Sequence, residues 1–213
     1  ISNVELGEMD IEALNKRRKR EENARDRPLR IGLIGTLNGK FKGIQTVFDA
    51  LAMYRDELPD VEFRILGGGD AEYWQKLAYK LGIREIVYFD GVKPHGDPIW
   101  EWLDTIDIYL QPSLKEGLPR ALIEAMSRGC PALGSTRGGI PELLETEYLI
   151  RPKDSKGLGR RIKRLAQTPA ERIQQSERNW SYAKRFQANV LEPKRYEFWS
   201  EFALYARAVE KAE

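Results

Sequence analysis

Two glycine-bearing segments carry the residue types from which a phosphate and sugar site is built. One is Pro112-Ser113-Leu114-Lys115-Glu116-Gly117-Leu118-Pro119-Arg120-Ala121-Leu122-Ile123-Glu124-Ala125-Met126-Ser127-Arg128-Gly129, with Pro119 suited to the first turn of a helix. The loop before that helix offers the N–H groups of Gly117 and Leu118 at a positive helix end, an arrangement that favours phosphate. Glu116 and Glu124 bracket it, eight positions apart, so their backbones stand on the order of 10 Å from each other along a mostly helical path. That is wide for a retaining glycosidase pair, which needs ~5 Å. It suits two hydroxyl-bearing rings with a diphosphate between them, one carboxylate accepting from a sugar and the other from a ribose. Glu124 has the apolar neighbours Leu122, Ile123, Ala125 and Met126, and a mostly buried acid needs a partner. The other segment, Gly35-Thr36-Leu37-Asn38-Gly39-Lys40-Phe41-Lys42-Gly43, brings backbone N–H groups and lysine to a second helix start. It lacks the Gly-Lys-Ser/Thr ending of a P-loop, and Gly67-Gly68-Gly69 stands where a dinucleotide fingerprint expects an acid, so neither motif is met.

The elements that must position these loops follow from composition and periodicity. The chain has 213 residues, 35 Lys+Arg against 33 Asp+Glu, and a net charge of +2. Its length allows one large domain with appendages. No apolar run approaches the ~18 residues of a membrane span. Cys130 and His95 are the single cysteine and histidine, which excludes an internal disulfide and a Cys/His zinc cluster. A cytosolic, metal-free protein is expected, and the charge balance gives no argument for a nucleic-acid partner. The first residue is Ile1, so the chain is taken as a fragment.

Residues 1–28 contain the run Lys16-Arg17-Arg18-Lys19-Arg20-Glu21-Glu22 and end in Asp26-Arg27-Pro28. They read as a linker with one helical stretch whose charges form a solvated face. From Leu29, short apolar runs at 30–35, 61–66, 86–89 and 107–110, with a weaker one at 132–133, alternate with amphipathic segments at 43–56, 71–81, 97–104 and 119–128. This alternation predicts an α/β, Rossmann-like parallel sheet with helices on both faces, because parallel strands need crossovers. Ligands of such sheets bind beyond the carboxyl ends of the strands, where the two glycine-bearing loops fall. After Pro152 the pattern is helical, at 154–167, 170–184 and near 193–211, the last carrying Tyr196, Phe198, Trp199, Phe202 and Tyr205. Asp107 and Asp70 read as a structural cap and a turn residue.

The string from Glu116 to Pro131, followed by Gly138-Gly139-Ile140-Pro141-Glu142-Leu143-Leu144, resembles the EX7E region of family 4 glycosyltransferases. Upstream pieces agree in order over about residues 29–152: Gly35 with Lys42-Gly43, Leu66 to Gly69, Val87 to Val92, and Asp107 before Pro112-Ser113. The resemblance implies the C-terminal half of a GT-B fold, acting in a retaining transfer from a nucleotide-diphosphate sugar without a divalent metal. It implies that Glu116 faces the donor sugar as the catalytic carboxylate, that the Gly117 and Leu118 amides lie near the diphosphate, and that Glu124 binds the ribose. By the same resemblance Lys42 neutralises phosphate beside Gly35, and Gly91-Val92 lines the base pocket. Many members place arginine after the first glycine. Thr36 stands there here, so either phosphate is held more weakly or Lys40 substitutes. The implied domains are the linker to 28, a nucleotide-sugar-binding domain over 29–185, and a C-terminal helix over 186–213 that packs toward an absent N-terminal domain. The implied partners are the donor, an unnamed acceptor and that N-terminal domain in cis, at the cytoplasmic side, with peripheral membrane association left open. A nucleotide-sugar-binding or interaction module without turnover is the alternative; an epimerase relative has no support from these motifs.

Overall fold

A computed structural model describes residues 5–22 and 27–210. Helix α1 (Ile11–Glu22) precedes an alternating body of β1 (Leu29–Ile34), α2 (Ile44–Met53), β2 (Val61–Leu66), α3 (Glu72–Lys80), β3 (Val87–Phe89), α4 (Asp97–Asp104), β4 (Ile108–Gln111), α5 (Arg120–Ser127) and β5 (Ala132–Ser135). Then come α6 (Ile140–Leu143), β6 (Leu149–Ile150), α7 (Ser155–Gln167), α8 (Pro169–Ala183) and α9 (Ala188–Glu210). The six strands form one sheet in the order β3-β2-β1-β4-β5-β6, and every neighbouring pair is parallel. The expected Rossmann-like sheet is thus present. Alternate strand residues feed opposite layers: Ile31, Leu33, Phe63, Ile65 and Ile108 pack with α2, α3 and α7, while Tyr109 and Ala132 pack with α4 and α5.

Strand order reverses between β1 and β4, which pair through Ile31 with Ile108 and Gly32 with Tyr109. Their following loops therefore leave in opposite directions and open a crevice at the sheet's carboxyl edge. Both glycine-bearing segments lie at that crevice. β6 and α6 were not expected from periodicity, since a two-residue strand and a four-residue helix are too short to show one. The last helix begins before Pro193 rather than at it, so Pro193 lies inside the helix and removes one of its i→i−4 hydrogen bonds. Residues 211–213, like Asp26, lie outside the described residues.

The charge run of α1 is solvated only in part: Lys16, Arg18, Lys19 and Glu22 are exposed, but two of its charges turn inward. Arg17 and Glu21 are buried, because α1 packs against α8 and α4. Arg17 Nη2 donates to the Leu103 carbonyl at 3.0 Å, and Glu21 pairs with buried Arg172 of α8 at 2.7 Å. Helical spacing sets Ala13, Leu14, Arg17 and Glu21 on one stripe, so the apolar positions that dock the helix carry charged neighbours in with them. Asp107, at the start of β4, fastens the same segment to the sheet. It pairs with Arg20 at 2.7 Å and Arg27 at 2.6 Å, and accepts the Arg30 N–H at 2.7 Å. Its role is structural, but as an ion-paired anchor rather than the expected cap. Asp70 likewise accepts the Glu72 N–H at 2.8 Å, a turn contact.

Burial alone would push the Asp107 carboxyl up, but Arg27, Arg20 and the Arg30 N–H together hold it below the ordinary aspartate range. A lowered carboxyl contributes stability above its unfolded value, ~3.9, and loses it as pH falls through the folded value. Asp107→Asn should therefore cost about 3–5 kcal/mol at pH 7, as breaking a buried ion pair does. In denaturant titrations the gap between wild type and variant should shrink below about pH 4; a gap independent of pH would refute the ionic role.

Candidate functional site

A cavity of about 380 Å³ opens where β1 and β4 diverge, lined by Gly35 and Lys42 from one loop, Gln111, Glu116 and Leu118 from the other, and Arg120 and Glu124 from α5, with His95 across it. Two glycines allow the loops to meet. Gly43 has φ 75°, and a Cβ there would lie 2.1 Å from the Pro112 carbonyl oxygen, so only glycine lets the Lys42 loop press on the Pro112 loop. Gly138 has φ 54° and its missing Cβ would sit 2.3 Å from the Glu116 carbonyl oxygen, which seats the Glu116 turn on the loop after β5. Backbone bonds complete the clamp: the Leu114 N–H donates to the Phe41 carbonyl at 2.7 Å, and the Gly139 N–H to the Gly117 carbonyl at 2.8 Å.

Inside this frame Lys42 Nζ pairs with Glu116 Oε2 at 2.9 Å. Gln111 Nε2 and Ser113 Oγ each donate to the same oxygen at 3.0 Å. The Glu124 carboxylate, one helical face away, accepts no hydrogen bond among the described residues. Burial raises its carboxyl above the ordinary glutamate value, and the nearby His95 and Arg120 oppose that rise. The Gly117 and Leu118 N–H groups find no acceptor among the described residues, and Leu118 lines the cavity. The site thus offers one tethered carboxylate, one unsatisfied carboxylate, open amides and the cations Lys42 and Arg120. That set can hold an anion flanked by hydroxyl groups.

The structure therefore brings together Gly35, Lys42, Glu116, Leu118 and Glu124, with Gly117 in the same loop. It does not bring Gly91 and Val92 into the cavity. They follow β3 beside the glycine-rich loop after β2, where the Gly67 N–H donates to the Gly91 carbonyl at 2.7 Å and Val92 is exposed. Lys40 does not line this cavity; its ammonium lies over the Tyr73 ring, 5.3 Å from the centroid, beside a separate hollow. Thr36 is used locally, accepting from the Asn38 N–H at 3.1 Å and donating to the Gly68 carbonyl.

Residues 15–185 match the family model described as glycosyl transferases group 1. The chain belongs to that family. It is 35% identical over 159 residues to the amylovoran biosynthesis glycosyltransferase AmsK of Erwinia amylovora, covering 70% of this chain and 39% of that protein. This group 1 member spans 35–39% of the lengths of the first such curated relatives. Among solved structures it resembles the C-terminal domain of a group 1 glycosyl transferase (LpcC) from Francisella tularensis, with TM-score 0.68, 21% identity and coverage of 81% of this chain and 93% of that one. It also resembles Anabaena Alr3699/HepE in complex with UDP, with TM-score 0.74, 23% identity and coverage of 92% and 56%. These likenesses establish a GT-B C-terminal fold for this family member.

Sequence reasoning missed His95, Arg120, Gln111 and Ser113 as parts of the site. Gln111 and Ser113 carried a signal, since with Tyr109 they alternate at the end of β4 and so share one face. His95 carried none. It reaches the cavity only because the loop between β3 and α4 folds back toward α5.

A carboxyl raised by burial costs the fold nothing when protonated and destabilises it once pH exceeds its unfolded value, ~4.3. Glu124→Gln should accordingly raise the thermal midpoint at pH 7, and the gain should vanish below about pH 4. A variant less stable than wild type at pH 7 would show that Glu124 is a structural partner rather than an unsatisfied carboxylate kept for a ligand.

Proposed function

We propose that this chain is the donor-binding half of a retaining, family 4-like glycosyltransferase. In the parent protein it would present a nucleotide-diphosphate sugar so that the bond from the sugar to the diphosphate breaks and a glycosidic bond to an acceptor forms. The observation that carries this reading is the pairing, across one cavity at the strand-order reversal, of Lys42-tethered Glu116 with unsatisfied Glu124. Two carboxylates separated by open amides and cations match a ligand with hydroxyl rings at both ends of a diphosphate. HepE, of similar fold, is described in complex with UDP and with UDP-glucose, which supports a donor of that chemistry.

In this reading Glu116, within the EX7E string, is the catalytic carboxylate and faces the donor sugar, the Gly117 and Leu118 amides take the diphosphate, and Glu124 accepts from the ribose. Lys42 gives up part of its hold on Glu116 to phosphate. Arg120, which makes no ion pair among the described residues, supplies the charge that Thr36 does not. Gly91 and Val92, outside the cavity, would meet the base at its outer end. No metal is assigned, because the chain's own cations meet the diphosphate. The acceptor surface belongs to an N-terminal domain in cis, and the exposed Tyr196, Phe198, Trp199, Phe202 and Tyr205 of α9 would pack toward it. The parent is read as cytoplasmic; among the described residues no helix is long and apolar enough to cross a membrane.

Calorimetric titration with UDP and UDP-glucose, GDP and GDP-mannose tests the assignment. Glu124→Gln should weaken the bare nucleotide about tenfold or more, the cost of a hydrogen bond to a charged acceptor. Glu116→Gln should mainly erase the extra affinity given by the sugar. Chelator should change neither. Equal losses on bare nucleotide for both variants, or binding abolished by chelator, would overturn the assignment. The isolated chain should bind without transferring, since positioning donor against acceptor is worth ~7–11 kcal/mol of barrier and half a cleft cannot supply it. Mass-spectrometric detection of transfer by this chain alone would contradict that.

A further inference from the structure

The Glu116 carboxylate is held along one edge only. Lys42, Gln111 and Ser113 all reach Oε2, at 2.9, 3.0 and 3.0 Å, and Oε1 accepts from no group among the described residues. Behind this contact stands a hydrogen-bond relay in which every proton has a place. The Tyr109 hydroxyl donates to Gln111 Oε1 at 2.9 Å. With its carbonyl oxygen satisfied, the Gln111 amide turns both N–H groups forward, to Ser113 Oγ at 2.9 Å and to Glu116. The flipped amide would set its oxygen against a carboxylate oxygen, so one orientation satisfies the network. Ser113 Oγ accepts from Gln111 and passes its own proton to Glu116.

Tyr109 and Ser113 are fully buried and Gln111 is 2% exposed, so none of these groups can exchange its partner for water. Burial keeps the Tyr109 hydroxyl well above its ordinary value despite the Ile34 backbone N–H, and it remains a donor across the working pH range. The Ser113 carbonyl accepts the Ser135 hydroxyl at 2.6 Å, which fixes the relay to β5 as well as β4.

Building on the donor-binding reading above, we propose that Tyr109, Gln111 and Ser113 are positioning residues that lock the Glu116 rotamer, engaging Oε2 internally and turning Oε1 to the hydroxyls of the donor sugar. They act through Glu116. Their effect is on discrimination between a nucleotide sugar and the bare nucleotide, not on nucleotide binding as such. A glutamate free to rotate would spend part of its time with neither oxygen aimed at the sugar.

The test is the ratio of affinities for UDP-glucose over UDP, and GDP-mannose over GDP, measured by calorimetry on the 213-residue chain. Tyr109→Phe keeps the ring and removes only the hydroxyl; Gln111→Met keeps the length and removes the amide. Each should lower the ratio about fivefold or more for the donor that wild type prefers, a fraction of what a direct charged hydrogen bond gives. If Gln111→Met does not fold, Tyr109→Phe decides alone. A merely structural role would weaken conjugate and nucleotide alike and leave the ratio in place, which overturns the inference while the donor-binding reading stands. A wild-type chain that binds no nucleotide, or gains nothing from any sugar, overturns both together.

Discussion

The parallel pairing of β1 with β4 is the constraint on which the molecule depends. Strand order runs outward from that pair in both directions, so the crossover helices must divide between the two faces and the two following loops must part. A parallel sheet cannot be built without such crossovers, and a reversal of winding leaves a crevice at its carboxyl edge. Packing therefore dictates the location of the cavity before any polar residue is placed in it. Gly32, at this pair, sits where a Cβ would lie 2.8 Å from the Ile106 side chain, which shows how closely the layer beneath approaches.

β4 carries the consequences at both of its ends. At its start, Asp107 gathers Arg20, Arg27 and the Arg30 N–H and fastens the N-terminal segment to the sheet. At its finish, Tyr109, Gln111 and Ser113 gather behind Glu116. Both clusters are buried polar networks, costly when incomplete and rigid when satisfied. One anchors a segment and the other orients a carboxylate. Glu124 is the counter-example in the same cavity, a half-buried acid whose carboxylate accepts no hydrogen bond among the described residues, and whose carboxyl burial raises more than the nearby His95 and Arg120 lower it.

Membership of the group 1 glycosyl transferases joins these observations to a chemistry without specifying its substrates. The solved structures this chain resembles share its fold at 21% and 23% identity, and function on such a fold is set by the site it carries. Thr36 is drawn into local hydrogen bonds, Lys40 stacks on Tyr73, and Arg120 stands at the cavity wall at the start of α5. Arg120 thereby adds a second positive charge to the cavity beside Lys42 of the loop after β1.

The alternation of strands and helices, the crossover sheet it requires, and the two segments that carry Lys42, Glu116 and Glu124 are legible in the order of the residues alone. These are local properties, expressed within a window of a turn or a strand. It could not show that Lys42 and Glu116, 74 residues apart, would share a contact, nor that His95 would face Glu124. Nor could it show that Arg17 and Glu21 would be buried, because a charge run reads as solvated until the partner that covers it is known, and Arg172 lies 151 residues away from Glu21. Only the tertiary structure decided these pairings. Which loops meet depends on strand order, and strand order is settled by the packing of the whole sheet rather than by any segment of it.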